Sequence, residues 1–202
     1  MAILFGTPND DVINGTSFND LVLSRAGDDV ISTGDGQDFI IAGDGDDTIN
    51  SGNGSDMVVG GNGNDTIFGG GGQDFLFGSD GNDNIDGGQG SDLIFAGSGS
   101  NIITGGLGAD RLYGGSGDDI FNFDAIEEST LEGGFDVIFG FQQGVDLIDV
   151  SDLSGTGIDS FSDFSITSDA TATFLSATGV TGATLIIQIS GLYTLTDTDF
   201  IF

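Results

Sequence analysis

From Gly60 the chain reads GGNGNDTIF (60–68), GGGGQDFLF (69–77), GSDGNDNID (78–86) and GGQGSDLIF (87–95). The same nine-residue period holds one register in both directions, from Gly6 to Asn122, as thirteen consecutive units over 117 residues. Position six is Asp in twelve units, with Asn101 the exception. Position eight is always large and apolar, from Ile13 and Val22 through Ile67 and Leu76 to Leu112 and Phe121. Position four is Gly in every unit from Gly27 onward. Glycine adopts backbone angles that other residues avoid and lets carbonyls crowd together. Each unit therefore reads as a six-residue Gly/Asp turn and a three-residue strand with one inward side chain. A disordered Gly/Asp-rich linker would not keep thirteen apolar residues in phase.

The units resemble the RTX nonapeptide, G-G-x-G-x-D-x-U-x, which GGNGNDTIF (60–68), GGQGSDLIF (87–95) and GGSGDDIFN (114–122) match in full. The first units depart from it at Pro8-Asn9, Ser17-Phe18 and Ser24-Arg25. The resemblance implies an all-β fold: a right-handed parallel β-roll of thirteen repeats, turning once every two units, with a small antiparallel C-terminal β cap. It also implies calcium between units of the same parity. The ligands would be the carbonyls of positions two and four and the Asp of one unit, with the carbonyls of positions one and three and the Asp of the next but one. One site then uses Gly43, Gly45 and Asp47 with Gly60, Asn62 and Asp65; another uses Gly52, Gly54 and Asp56 with Gly69, Gly71 and Asp74. Carried along the matching units, the aspartates are Asp29, Asp38, Asp47, Asp56, Asp65, Asp74, Asp83, Asp92, Asp110 and Asp119. Further backbone ligands are Gly34, Gly36, Gly61, Gly63, Gly70, Gly72, Gly81, Gly88, Gly90, Gly106 and Gly108. An all-oxygen set suits a hard ion of calcium's size. With no Cys and no His in the chain, zinc and copper are disfavoured.

Charge leads to the same ion independently. Residues 6–122 hold 20 Asp and two Arg, Arg25 and Arg111, a net of −18. Stacked carboxylates repel without counter-ions. Roughly nine calcium ions would nearly neutralise the roll. The whole chain carries −31, which argues against nucleic acid and anionic membranes as partners. No apolar run is long enough to span a membrane.

Two domains are expected: the roll over 1–122 and the cap over 123–202. The segment 135–153 reads as two strands joined by a Gln-Gln-Gly turn, and 161–175 and 184–190 read as further strands. The stretch after the repeats also resembles the segment following RTX repeats in secreted bacterial metalloproteases and alginate epimerase R-modules. Asp136, Ile138, Phe141, Gly144, Asp146, Ile148 and Asp149 match that pattern, while Gly140 stands where it has Asp. The ending TDTDFIF (196–202) resembles a type I secretion signal, and MAILF is too short and uncharged for a secretory leader. A secreted or cell-surface protein, read by a type I exporter and folded by external calcium, is the expectation.

Positions seven and nine point outward, and their character follows unit parity. Even units carry Leu21/Leu23, Phe39/Ile41, Met57/Val59, Phe75/Phe77, Leu93/Phe95 and Arg111/Tyr113, whereas odd units are mainly mixed or polar there. One sheet is thus apolar outside as well as inside, a pattern that marks a covered face. The cover is either the C-terminal segment folding back, or a homodimer or partner domain on Leu21, Leu23, Phe39, Ile41, Met57 and Val59, or a ligand. Serine–histidine, cysteine and lysine mechanisms lack their residues, and no catalytic domain fits, so no enzyme is expected. Two functions remain: a structural or surface-assembly module acting through the apolar face, and a polysaccharide-binding module of the R-module kind. Two Arg are a poor supply for binding polyuronate directly.

Overall fold

The structure is a computed structural model, and it describes residues 1–125, 129–130, 134–153, 155–180 and 183–202. Successive strands alternate between two sheets. The first holds Ile3–Phe5, Leu21–Ala26, Phe39–Asp44, Met57–Asn62, Phe75–Asp80, Leu93–Ser98 and Arg111–Ser116 in that order. The second holds Val12–Asn14, Val30–Ser32, Thr48–Asn50, Thr66–Gly72, Asn84–Gly90, Ile102–Thr104 and Ile120–Asn122. All these neighbours are parallel and 18 residues apart, as in Leu21↔Phe39, Phe39↔Met57 and Thr48↔Thr66. Two nine-residue units therefore make one turn of a parallel solenoid of about seven turns. The strand Ile3–Phe5 precedes the first glycine turn yet sits in phase, Ile3 opposite Leu21.

The period explains the core. Within each strand the position-eight side chain points inward: Val22, Ile40, Val58, Leu76, Ile94 and Leu112 from the first sheet meet Ile31, Ile49, Ile67, Ile85, Ile103 and Phe121 from the second, and all are buried. Each such side chain contributes about 1.5–3 kcal/mol by leaving water. The core is a single file of side chains, so the turns on either edge carry much of the remaining burden of holding the sheets in place.

Parallel pairing continues past Asn122. Asp136–Phe139 joins the first sheet beside Arg111–Ser116, and Leu147–Asp149 joins the second beside Ile120–Asn122. The two strands expected in 135–153 thus lie in opposite sheets and both run parallel to their neighbours. A further parallel layer follows, Thr184–Ser190 on the first sheet and Phe200–Ile201 on the second. The antiparallel strands are Ser165–Ser168, Ala172–Thr178 and Thr184–Ser190, which extend the first sheet. Aromatic rings close this end, with Phe141 between Phe121 and Tyr193, and Phe200 against Phe161 and Phe164.

The described residues of the C-terminal segment therefore lengthen the roll and leave its apolar face open. Ile3, Phe5, Met57 and Phe75 remain 55 %, 62 %, 39 % and 45 % exposed, and Leu21, Leu23, Phe39, Ile41 and Val59 are partly open. Along this face Phe77, Phe95, Tyr113 and Phe139 form a ladder of stacked rings with centroids 4.4–5.3 Å apart.

Two non-glycine residues hold positive φ at position two of their units, Arg25 at 92° and Ser79 at 91°. A Cβ in that region costs about 1–2 kcal/mol, part of which glycine returns through the entropy of its unfolded state. Arg25→Gly and Ser79→Gly are each expected to stabilise the folded protein by about 0.5–1 kcal/mol, read as a raised unfolding midpoint in calcium.

Candidate metal centres

The position-six aspartates form two columns, one on each edge of the roll. In one, the backbone N–H of Asp20, Asp38, Asp56, Asp74, Asp92 and Asp110 donates to Oδ1 of the column residue on the next turn, ending at Asp136, at 2.7–2.9 Å. In the other, Asp11, Asp29, Asp47, Asp65, Asp83, Asn101 and Asp119 do the same, ending at Asp146, at 2.7–3.2 Å. Each carboxylate is held by the turn beneath it, so Oδ1 has a structural task.

The other oxygen does not. Oδ2 of Asp29, Asp38, Asp47, Asp56, Asp65, Asp74, Asp83, Asp92, Asp110 and Asp119 is buried with no hydrogen-bond partner. A buried, unpaired carboxylate oxygen is costly, and ten in phase call for a common partner. Carbonyls converge on the same gaps. The position-two and position-four carbonyls of one turn point at the equivalent glycines of the next: Gly43 at Gly61, Gly45 at Gly63, Gly52 at Gly70, Gly54 at Gly72, Gly34 at Gly52 and Gly36 at Gly54. The run Gly63 to Gly81, Gly70 to Gly88, Gly72 to Gly90, Gly88 to Gly106 and Gly90 to Gly108 repeats it. From the turn above, the position-one carbonyls of Gly78 and Gly87 face the Cβ positions of Gly60 and Gly69, where Oδ2 of Asp65 and Asp74 also lie. Position-three carbonyls accept turn-to-turn bonds, as the position-two carbonyls of Gly34 and Gly52 also do. Gly45 N donates to Asn62 O at 2.8 Å, and Gly54 N to Gly71 O at 2.6 Å.

Most gaps thus offer carboxylate and backbone oxygens with no side-chain donor aimed at the free carboxylate oxygen. Among the described residues no group of three or more acidic side chains could hold a metal, so carbonyls supply much of each oxygen set. Few charges and many neutral oxygens, lining a cleft where a Cβ would collide with backbone, fit a calcium-sized hard cation.

Residues outside the repeat pattern also shape the gaps. Thr7 satisfies Oδ2 of Asp11 through its N–H and hydroxyl, at 2.5 and 3.0 Å, and Thr16 does the same for Asp20, at 2.7 and 2.9 Å. These threonines take the second position of the first two units. Their hydroxyl is the signal that distinguishes them from glycine. At position one, Ser24, Thr33 and Ser51 donate to the carbonyls of Ala42, Ser51 and Gly69, each at 2.8 Å.

Electrostatics follow from this crowding. Burial, with like-charged neighbours in the column, pushes the carboxyls of Asp47, Asp56 and Asp74 up to about 6 and those of Asp65 and Asp92 to about 7. Hydrogen bonds from the turn below act in the opposite direction and do not win. Raised folded-state values mean that the metal-free roll binds more protons than its unfolded chain between about pH 4 and 7. Its stability is thus greatest below about pH 4 and is lost as pH rises through 6–7. In chelator, the β signal in circular dichroism is expected to grow as pH is lowered from 8 to about 5.

Comparison with known proteins bears on the same residues. The profile of the RTX calcium-binding nonapeptide repeat, four copies in tandem, matches residues 5–40, 24–58, 59–94 and 95–125. The chain belongs to the RTX calcium-binding repeat family. Among solved structures, this RTX chain is similar to the solution structure of the AlgE6R3 subunit of the Azotobacter vinelandii mannuronan C5-epimerase, at 22 % identity and a TM-score of 0.43, over 98 % of this chain and 80 % of that one. The AlgE6R2 subunit of the same enzyme matches at 27 % identity and 0.41, over 71 % and 91 %. A comparison with curated proteins finds no match.

Proposed function

We propose that this RTX chain is a secreted structural module that calcium folds outside the cell and that associates through the outer face of its first sheet. The ten buried carboxylate oxygens without a donor carry the calcium part. Asp29 through Asp110 would hold the ions with the position-one, -two and -four carbonyls described above. Bound calcium supplies positive charge and joins adjacent turns, so ion binding is folding free energy.

Export fits the same chemistry. Thr196–Asp199 forms a capped turn in which Thr196 N–H donates to Asp199 Oδ2 at 2.8 Å, and Phe200 is buried beside Leu147–Asp149. A type I exporter that reads this segment needs it unfolded, which low cytosolic calcium would ensure. No helix among the described residues is long and apolar enough to cross a membrane.

For association we favour a second copy of the chain. Two outward rows run across eight parallel strands, from Ile3 and Phe5 to Val137 and Phe139, and Arg111 is their sole charge. At ~4.8 Å per strand the stripe is roughly 34 Å long, a face of the kind that packs sheet on sheet. Its sixteen side chains approach the ~20 residues a side of a standard interface. The aromatic ladder does not favour a sugar platform, because its rings stack on each other and turn their edges outward. Solution mass in calcium is expected to be that of a dimer, falling to a monomer in Phe39→Ser/Met57→Ser; a monomeric parent chain would end the dimer reading.

A further inference from the structure

The two carboxylate columns are not equivalent, and the difference lies in the gaps above Asn101 and above Asp119. Asn101 stands in the column with every polar atom satisfied. Its Oδ1 accepts the N–H of Asp83 at 2.9 Å, and its Nδ2 donates to Oδ1 of Asp119 at 2.9 Å. Other turns direct an unpaired Oδ2 at this gap, whereas this turn directs an amide donor. A donor repels a cation and hydrogen-bonds directly to the carboxylate that a cation would otherwise bridge.

The next gap is closed by a different residue. Gln142 reaches back from the Phe139–Asp146 connection, and its Nε2 donates to the carbonyls of Gly115 and Gly117 at 3.2 and 3.4 Å. These are the position-two and position-four carbonyls of their unit, the pair that points at calcium's place elsewhere in the roll. Its backbone N–H donates to Oδ2 of Asp146 at 2.7 Å, which occupies the upper carboxylate as well. Asp119 keeps an unpaired Oδ2 there, but the neutral oxygens that must complete a calcium shell are engaged.

We propose that amide side chains replace calcium in these two consecutive gaps, so that one edge of the roll is metal-free from Asn101 to Asp146. The proposal rests on the calcium reading above. Of the ten aspartates with a buried unpaired oxygen, Asp119 is then the one that binds no ion in its gap, which leaves nine metal sites. The C-terminal end of this column is held by hydrogen bonds from amide donors to carboxylates and carbonyls, so it does not melt when calcium is withdrawn as the aspartate-only edge does.

Ion counting on the full chain tests this. Native mass spectrometry of the calcium-loaded protein is expected to show one more ion for Asn101→Asp, where a carboxylate replaces the amide. It is also expected to show one more for Gln142→Ala, where the two glycine carbonyls are released. Gln142 is partly exposed, so its truncation leaves the core intact. A variant whose count does not rise overturns the assignment at its own gap. Should Asn101→Asp fail to fold, anomalous scattering from crystals of the calcium-loaded parent decides the same point: calcium between Asn101 and Asp119, or beside Gln142, overturns the proposal. A parent chain that takes up no calcium overturns the calcium reading itself, a result distinct from either.

Discussion

Gly54→Ala is expected to destabilise the calcium-loaded protein by more than about 4 kcal/mol, at the far end of what single substitutions do. A Cβ at Gly54 would lie 2.6 Å from the carbonyl carbon of Gly36 and nearer still to its oxygen, while ordinary contact begins at 3.4 Å. Both partners are backbone, and neither can swing aside. The residue also holds φ at 143°, which disfavours any side chain. Relief requires the two turns to separate, which breaks the bonds from Gly36 N to Asn53 O and from Asn53 N to Gly34 O. It also spreads the carbonyls around the Asp38 and Asp56 gaps. Gly71→Ala is the control, because a Cβ there meets only Oδ1 of Asn53, at 3.1 Å, and the cost is expected to stay below about 1 kcal/mol. Thermal unfolding in calcium compares the two, and similar losses would contradict a gap closed by backbone.

The roll was legible because its two requirements are periodic. Asp at position six and an aliphatic residue at position eight recur every nine residues, and a solenoid turn of two units needs both in phase. The parity of positions seven and nine likewise foretold which sheet has an apolar exterior, though not that the C-terminal segment would leave it open. What the period could not show is whatever is not periodic. The strands at Asp136–Phe139 and Leu147–Asp149 continue the sheets after steps of 26 and 27 residues, as in Arg111↔Val137 and Ile120↔Leu147, so the 18-residue turn of the repeats does not announce them. Gln142 acts on Gly115 and Gly117 from the far side of such a step. Asn101 was visible as a departure from Asp, but its effect depends on which way its amide faces, which only packing decides. Thr7 and Thr16 stand where the motif has its second glycine, and the donors they give Asp11 and Asp20 follow from a hydroxyl that the period alone does not single out.

Removing calcium at neutral pH is expected to unfold most of the chain, the second large effect. Column neighbours sit one strand spacing apart, ~4.8 Å, and at an effective dielectric of about 20 each adjacent carboxylate pair costs about 3 kcal/mol. Several such pairs in each column exceed the ~5–15 kcal/mol by which domains are ordinarily stable. The single-file core is too thin to offset that. Protonation relieves the repulsion only below the raised carboxyl values of about 6–7, so neutral pH leaves the metal-free columns charged. Calcium removes the same cost by placing positive charge among the unpaired oxygens, and its binding energy appears directly as stability. The most direct measurement is far-ultraviolet circular dichroism of the full chain at neutral pH, first in excess chelator and then during titration to millimolar calcium. A cooperative gain of β signal from a largely disordered spectrum is the expected result, and a full β spectrum already present in chelator would contradict it.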